Sequence, residues 1–153
     1  MIDLSIVPLY RCNLNCRHCY LGKLRSKDDL LSIEAVQKAL DENDVRVLDI
    51  YGGEITLLDD KYVSELVELA ERYFKDEQIY ITSNALGIMK SKWLEYITNG
   101  KIYPSFSYDV CRPRCEDIKN AISAFDKLGC KYSIICIDIS DLDYAFLESL
   151  ENM

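Results

Sequence analysis

Three cysteines near the N-terminus, Cys12, Cys16 and Cys19, have the spacing of a metal site. They fall in the stretch CNLNCRHCY, separated by three and then by two residues. Thiolates this close in one loop can converge on a compact soft-metal centre while the backbone wraps around it. A structural zinc site needs four ligands, and His18 is the nearest candidate for the fourth. Three thiolates on a four-iron cluster would instead leave one iron open to a substrate or cofactor.

The other cysteines do not complete such a site by their spacing. The chain has seven cysteines, an odd number that cannot all pair in disulfides. Cys111 and Cys115 form a second close pair, CRPRC, which could contribute to a second cluster. Because two thiols do not hold a cluster by themselves, we favour the interpretation that they are loop thiols. Cys136 lies in an apolar run and is predicted to be a core residue.

Composition excludes several classes of function. The 153 residues include 18 Lys and Arg against 26 Asp and Glu, and the net charge of −8 makes nucleic acid an improbable partner. No apolar run approaches the roughly 18 residues of a membrane helix, and the N-terminus lacks the pattern of a secretory signal. We therefore expect a cytoplasmic protein without a membrane partner, folded as a single domain over residues 1–153.

Strand-like and helix-like segments alternate along the whole chain. The predicted strands are Ile2–Leu9, Val45–Tyr51, Gln78–Ser83, Tyr103–Tyr108 and Lys131–Ile137. Helical spacing follows each strand; Ser32 and Asp60 are candidate N-caps, and Gly100 and Gly129 are candidate C-terminal stops. Five βα units in a row predict an α/β fold with one parallel sheet. Ligands of such sheets gather at the carboxyl ends of the strands, where the cysteine loop also lies.

Glycine and polar residues follow the later strands at this same edge. The stretch YGGEITLL after the second strand contains Gly52, Gly53 and Glu54. Glycine lets a backbone approach a ligand closely, and Glu54 offers a carboxylate to a cationic group. The polar candidates at the ends of the third and fourth strands are Ser83, Asn84, Ser107 and Asp109. A plainer interpretation of all of them is a set of tight turns and helix-capping residues.

Together these motifs resemble the radical S-adenosylmethionine (radical SAM) superfamily. The resemblance rests on CNLNCRHCY after the first strand and YGGEITLL after the second, with ITSNA and SFSYD as lesser matches after the third and fourth. It implies that Cys12, Cys16 and Cys19 bind a 4Fe–4S cluster whose open iron is chelated by S-adenosylmethionine. The residues that it implies for binding S-adenosylmethionine are Gly52, Gly53, Glu54, Ser83, Asn84 and Ser107. It also implies that Asp109 points towards the substrate, and it assigns no catalytic residue.

The resemblance implies an oxygen-sensitive enzyme. Members of the family cleave S-adenosylmethionine reductively to a 5′-deoxyadenosyl radical, which abstracts hydrogen from a substrate, here expected to be a peptide or a small metabolite. A reductant protein such as flavodoxin or ferredoxin is then an expected partner. An activase of a glycyl-radical enzyme is the alternative within enzymes. A non-catalytic iron–sulfur or zinc-binding module is the alternative from another class.

The sequence departs from the family pattern at several points. His18 stands where an apolar or aromatic residue is usual, Ile55 where proline is common, and Ala85 where glycine is usual. The fifth strand, KYSIICIDI, lacks a glycine motif found in many members. Because the family core has six βα units and we count five, we expect a truncated partial parallel barrel without the sixth unit or a C-terminal extension. The open edge of its fifth strand is expected to pair with a second copy or another protein.

Overall fold

The computed structural model describes residues 1–75, 78–137, 140 and 142–153. The described strands are β1 (Ile2–Ile6), β2 (Val45–Ile50), β3 (Ile79–Ser83), β4 (Tyr103–Ser107) and β5 (Ser133–Ile135). All five predicted strands are confirmed, and each is shorter than expected. The first ends before Pro8, which has no N–H to donate to a neighbouring strand. The last two residues of KYSIICIDI lie outside the described residues.

Helices follow the strands in the predicted alternation. They are α1 (Ile33–Asp41), α2 (Asp60–Ala70), α3 (Trp93–Thr98), α4 (Cys115–Asp126) and α5 (Tyr144–Glu148). Short 3₁₀ segments at Gly22–Ser26, Ile55–Leu57 and Ile88–Lys90 lie in the connections that follow β1, β2 and β3. None of the helices that the structure describes is long and apolar enough to cross a membrane.

The sheet has the strand order β1-β2-β3-β4-β5, and every neighbouring pair is parallel. Sequential parallel strands joined by helices form the α/β architecture that the sequence predicts. Since all five strands run the same way, their carboxyl ends and the loops that follow them lie at one edge. Within the described part of the chain, β1 and β5 each pair on one side only.

The hydrophobic core lies between one face of the sheet and the helices. Ile50, Ile81 and Phe106, from three neighbouring strands, are completely buried, as are Leu66 and Val67 of α2. Alternate residues of the same strands point to the opposite face and are half-buried. Because the side chains alternate, one face of the sheet is buried under the helices and the other is available to solvent or a ligand.

The helix ends match the sequence signals with one exception. The Ser32 hydroxyl caps α1 by accepting a hydrogen bond from the Ala35 N–H at 3.2 Å. The prediction that Asp60 caps α2 is wrong, because Asp60 is already helical and Asp59, with extended backbone, accepts from the Tyr62 N–H at 2.8 Å. The two predicted glycine stops after α3 and α4, Gly100 and Gly129, have left-handed φ angles of 74° and 72°.

Candidate functional site

A cavity of about 230 Å³ opens at the carboxyl ends of the strands. Every residue that the sequence predicts for metal or cofactor binding lines it: Cys12, Cys16, Cys19, Gly52, Gly53, Glu54, Ser83, Asn84 and Ser107. These residues come from four segments, namely the loop after β1 and the ends of β2, β3 and β4. The parallel sheet therefore brings widely separated motifs to one place, while their individual roles stay predictions.

The cysteine loop presents three free, half-buried thiols to the cavity. Its backbone turns tightly, since the Cys19 N–H donates to the Cys16 carbonyl oxygen at 3.2 Å. The Leu14 N–H donates to the Cys12 Sγ at 3.4 Å, a contact that favours the thiolate. Burial nevertheless raises the pKa of the Cys12 and Cys16 thiols. Metal binding to such thiols releases protons, because the thiolate is the ligand.

Gly52 and Gly53 fit against the start of the cysteine loop. The Gly53 N–H donates to the Leu9 carbonyl oxygen at 3.0 Å. A Cβ atom at Gly53 would lie 2.0 Å from the Arg11 carbonyl oxygen, and one at Gly52 would lie 2.7 Å from that of Leu9. The sequence suggested that these glycines let a ligand approach. The structure shows that they also let two stretches of backbone meet, which holds the cysteine loop against the end of β2.

Glu54 lies at the centre of a buried hydrogen-bond network. Its Oε1 accepts from the Thr56 N–H at 3.1 Å, from the Thr56 hydroxyl at 2.9 Å and from the Ser83 hydroxyl at 2.7 Å. Its Oε2 accepts from the Asn84 N–H at 2.8 Å. Burial raises the pKa of Glu54, and these hydrogen bonds act in the opposite direction. Among the described contacts Oε2 has a single donor, so it retains capacity to accept another hydrogen bond.

Asn84 connects the end of β3 to the cysteine loop. Its Nδ2 donates to the Asn13 Oδ1 at 2.7 Å, and its Oδ1 accepts from the Leu86 N–H at 3.1 Å. Ala85, between Asn84 and Leu86 in the chain, is completely buried and has a φ of 68°. This left-handed conformation is strained for any residue with a Cβ. This conformation gives a physical reason for a glycine at the position. The turn is retained here in spite of the alanine.

Asp109 is placed differently from the expectation. It is not among the cavity-lining residues; its carboxylate is buried and accepts from the Arg112 Nε at 2.7 Å and from the Cys111 Sγ at 3.3 Å. Arg112 itself lines the cavity. In the sequence, the three-residue spacing between Asp109 and Arg112 is the signal that indicates this pair. Arg114 is exposed and bonds Asp117 instead.

Two of the remaining thiols pack against the hydrophobic core, and Cys136 does not. Cys115 is the first residue of α4 and, like Cys130, packs against the hydrophobic core. The prediction that Cys136 is a core residue is wrong: it is half-buried and is not among the described residues that pack on the core. It follows β5, whose last residue, Ile135, is itself partly exposed. An edge strand with no neighbour beyond it leaves such a residue uncovered.

The donor set of the cavity fits an iron–sulfur cluster together with a polar ligand. Three thiols from one loop are the ligand type that iron–sulfur clusters use. The His18 Nε2 atom is buried beside them and has no hydrogen-bond partner among the described residues. His18, Asp109 and Cys111 also place one potential ligand atom each within 4.8 Å of one another. Since Arg112 and Cys111 already donate to the Asp109 carboxylate, we interpret Asp109, Cys111 and Arg112 as a hydrogen-bonded cluster and not as part of a metal site.

The chain belongs to the radical SAM superfamily. The model of that family, described as "Radical SAM superfamily", matches residues 6–137, which is most of the sequence. The match covers the cysteine loop and all the segments that line the cavity. No curated protein sequence matches the chain.

Solved structures share the fold at low sequence identity. SuiB of Streptococcus suis bound to S-adenosylmethionine aligns with a TM-score of 0.71 and 22% identity, over 97% of this chain and 37% of that one. SuiB bound to the precursor peptide SuiA aligns with a TM-score of 0.69 and 23% identity, over 97% of this chain and 36% of that one. Native anSMEcpe with bound AdoMet and the Cp18Cys peptide aligns with a TM-score of 0.68 and 18% identity, over 95% of this chain and 48% of that one. The partial-barrel fold is thereby confirmed, and the chain spans less than half the length of these structures.

Proposed function

We propose that the chain is a radical SAM enzyme in which Cys12, Cys16 and Cys19 hold a 4Fe–4S cluster. The observation that carries this proposal is the convergence of the three thiols and the Gly-Gly-Glu turn on one cavity. Three protein thiolates leave one iron of such a cluster without a protein ligand. That iron is the position at which S-adenosylmethionine would be chelated.

The residues proposed for S-adenosylmethionine are Gly52, Gly53, Glu54, Ser83, Asn84 and Ser107. The Oε2 of Glu54 supplies an acceptor for a cationic amino group, and its other oxygen is fixed by Thr56 and Ser83. Ser83 and Asn84 act chiefly by orienting Glu54, since the Ser83 hydroxyl and the Asn84 N–H both donate to its carboxylate. Glu54 would therefore bind the amino group without reorganising.

The chemistry that the two groups supply when bound is reductive cleavage of S-adenosylmethionine and hydrogen abstraction by the resulting 5′-deoxyadenosyl radical. The chain's own contribution is positioning and exclusion of water. Leu14, Ile135 and Ile137 line the cavity with apolar surface beside the thiols. A reductant such as flavodoxin or ferredoxin supplies the electron, and a cytoplasmic setting suits a site of this kind.

We propose a peptide as the substrate, with a small metabolite as the other possibility for the same site. Two of the similar structures are described with a bound peptide: SuiB with SuiA, and anSMEcpe with Cp18Cys. In this chain the half-buried face of the sheet runs up to the cavity, because Thr82 and Ser107 on that face also line it. An extended polar substrate could therefore reach the site along the sheet.

Two other functions are distinguishable from this one. A glycyl-radical activase would bind a glycyl-radical enzyme tightly. Among the described strands β5 pairs on one side only, and such an edge favours a protein partner. A non-catalytic module would bind a cluster or zinc without turning over S-adenosylmethionine. The fifth strand, KYSIICIDI, lacks the glycine motif found in many members of the family, and this favours that alternative.

The test is anaerobic iron–sulfur reconstitution followed by a cleavage assay with S-adenosylmethionine and dithionite. We expect about four irons per chain and formation of 5′-deoxyadenosine. Cys16→Ala should abolish both. Cys130→Ala is the matched control, because this thiol packs against the core and lies outside the cavity.

The results separate the three functions. A brown protein that makes no 5′-deoxyadenosine would indicate the non-catalytic module, and a colourless zinc protein would contradict the cluster. Product that forms only when a glycyl-radical enzyme is added would indicate the activase.

We further propose that the edge of β5 pairs with a second copy of the chain or with a protein partner. Ile135, at the end of β5, and Ile137 beyond it are 43% and 61% exposed. An exposed apolar strand edge is a template for pairing with another strand. The molar mass by light scattering at micromolar concentration should exceed that of one chain. A monomer that binds no partner would contradict this proposal.

A further inference from the structure

A mostly buried arginine stands between the end of β4 and the cysteine loop. The Arg112 side chain is 11% exposed and lines the same cavity as the three thiols. Its Nε donates to the Oδ2 of Asp109 at 2.7 Å, and the Asp109 side chain is only 1% exposed. An ion pair this buried holds the guanidinium in a fixed orientation, unlike a surface pair of flexible side chains.

The other end of the guanidinium reaches the cysteine loop. The Nη1 of Arg112 donates to the Sγ of Cys16 at 3.7 Å, across 96 residues of sequence. This contact joins a positively charged donor to one of the three thiols that the proposed function assigns to the cluster. A hydrogen bond from a charged donor is about twice as strong as one between neutral groups.

We propose that Arg112 is a positioning residue that hydrogen-bonds the Cys16 ligand and raises the reduction potential of the cluster. The inference rests on the proposed function, since it concerns a cluster held by this loop. Reduction adds negative charge to a cluster and its thiolates. A cationic N–H donor on a ligand sulfur stabilises that added charge, and hydrogen bonds to the sulfurs are among the factors that set cluster potentials.

The geometry requires arginine in particular. Arg112 uses Nε for Asp109 and Nη1 for Cys16 at the same time. The planar fork of arginine can point two donors in two fixed directions, whereas lysine carries a single flexible charge. Asp109 therefore acts through Arg112, by fixing the direction in which the Nη1 donor points.

The experiment is a redox titration of the reconstituted full chain, followed by electron paramagnetic resonance without S-adenosylmethionine. In Arg112→Gln we expect at least a tenfold lower reduced-to-oxidised ratio at a given potential, which is a midpoint about 59 mV more negative. The midpoint of Arg112→Lys should lie between that of the wild type and that of Arg112→Gln. Arg114→Gln is the matched control, because Arg114 is 54% exposed and bonds Asp117 at the surface; its midpoint should equal that of the wild type.

Each other outcome has a defined meaning. A wild-type chain that takes up no cluster would contradict the proposed function itself. A cluster with the same midpoint in wild type and Arg112→Gln would overturn only the role of Arg112. S-adenosylmethionine binding by the reconstituted Arg112→Gln variant is measured separately. Weaker binding with an unshifted midpoint would also overturn the role of Arg112, since Arg112 would then bind the cofactor. If Arg112→Gln holds no cluster, the midpoint of Arg112→Lys decides, and an unshifted value overturns the proposal.

Discussion

The buried carboxylate of Glu54 accepts a hydrogen bond from the Ser83 hydroxyl at 2.7 Å, a contact that joins the turn after β2 to the end of β3. Thr56 and Asn84 also donate to this carboxylate. The residue proposed to bind the amino group of a cofactor is therefore also the hub that holds two turns of the site together. A substitution at Glu54 should change both stability and binding.

We predict that Glu54→Leu lowers the free energy of unfolding by at least about 3 kcal/mol. Leucine accepts no hydrogen bond, so the buried donors of Thr56, Ser83 and Asn84 would lose their partner, at roughly 1–3 kcal/mol each. Urea denaturation of the metal-free chain measures the loss. Glu65→Leu, the same change on a half-exposed position of α2, should stay within about 0.5 kcal/mol. A Glu54→Leu loss below 1 kcal/mol would contradict the hub role.

The same carboxylate should make stability depend on pH. Burial raises the pKa of Glu54 in the folded chain above the ordinary value of 4.5, so the folded state holds its proton more tightly than the unfolded state. The stability that this group contributes is then complete below pH 4.5 and is lost as the pH rises through the folded pKa. Glu54→Gln does not titrate. The difference in unfolding free energy between wild type and Glu54→Gln should therefore decrease as the pH rises from 4.5 to 7. A difference that increases over this range would show that the hydrogen bonds to Glu54 outweigh the effect of burial on its pKa.

The sequence predicted the elements and the lining of the cavity because both depend on local patterns. Alternating apolar residues predict strands, and parallel strands place their carboxyl-end loops at one edge. The position of Cys12 and of Glu54 on a shared cavity follows from those two facts alone. The end of β1 was predicted less well, since Pro8 interrupts a run that is otherwise strand-like.

The contacts that fix the site could not be predicted in the same way. Arg112 meets Cys16 across 96 residues, and Asn84 meets Asn13 across 71. Which way a loop side chain points depends on the backbone conformation of the loop and on packing across the fold. Asp109 illustrates this, since its position at the end of β4 was predicted but its burial under Arg112 was not.

We predict that Gly53→Ala disrupts the cysteine loop. A Cβ atom there would lie 2.0 Å from the Arg11 carbonyl oxygen, so one of the two backbones must move. The expected loss is at least about 3 kcal/mol in unfolding free energy, with a fall in iron content after reconstitution. Gly129→Ala is the control. The φ of Gly129, 72°, is unfavourable for alanine, but an added Cβ would meet no atom within 4 Å. The substitution should therefore lower the unfolding free energy by about 1–2 kcal/mol and leave the iron content unchanged. Equal losses in the two variants would contradict the close fit at Gly53.

The last prediction concerns Asp126, at the end of α4. Its Oδ2 accepts from the Glu151 N–H at 3.0 Å, and its Oδ1 accepts from the Asn152 N–H at 2.9 Å and the Tyr132 hydroxyl at 3.0 Å. In Asp126→Ala these backbone amides lose their acceptor, so their hydrogen exchange should accelerate at least tenfold, about 1.4 kcal/mol of local protection. Mass spectrometry of a peptide that contains both residues measures the change. Asp117→Ala, an exposed position on the same helix, should leave exchange there unchanged. Unaltered protection in Asp126→Ala would mean that packing around Phe146, and not the carboxylate, holds this segment in place.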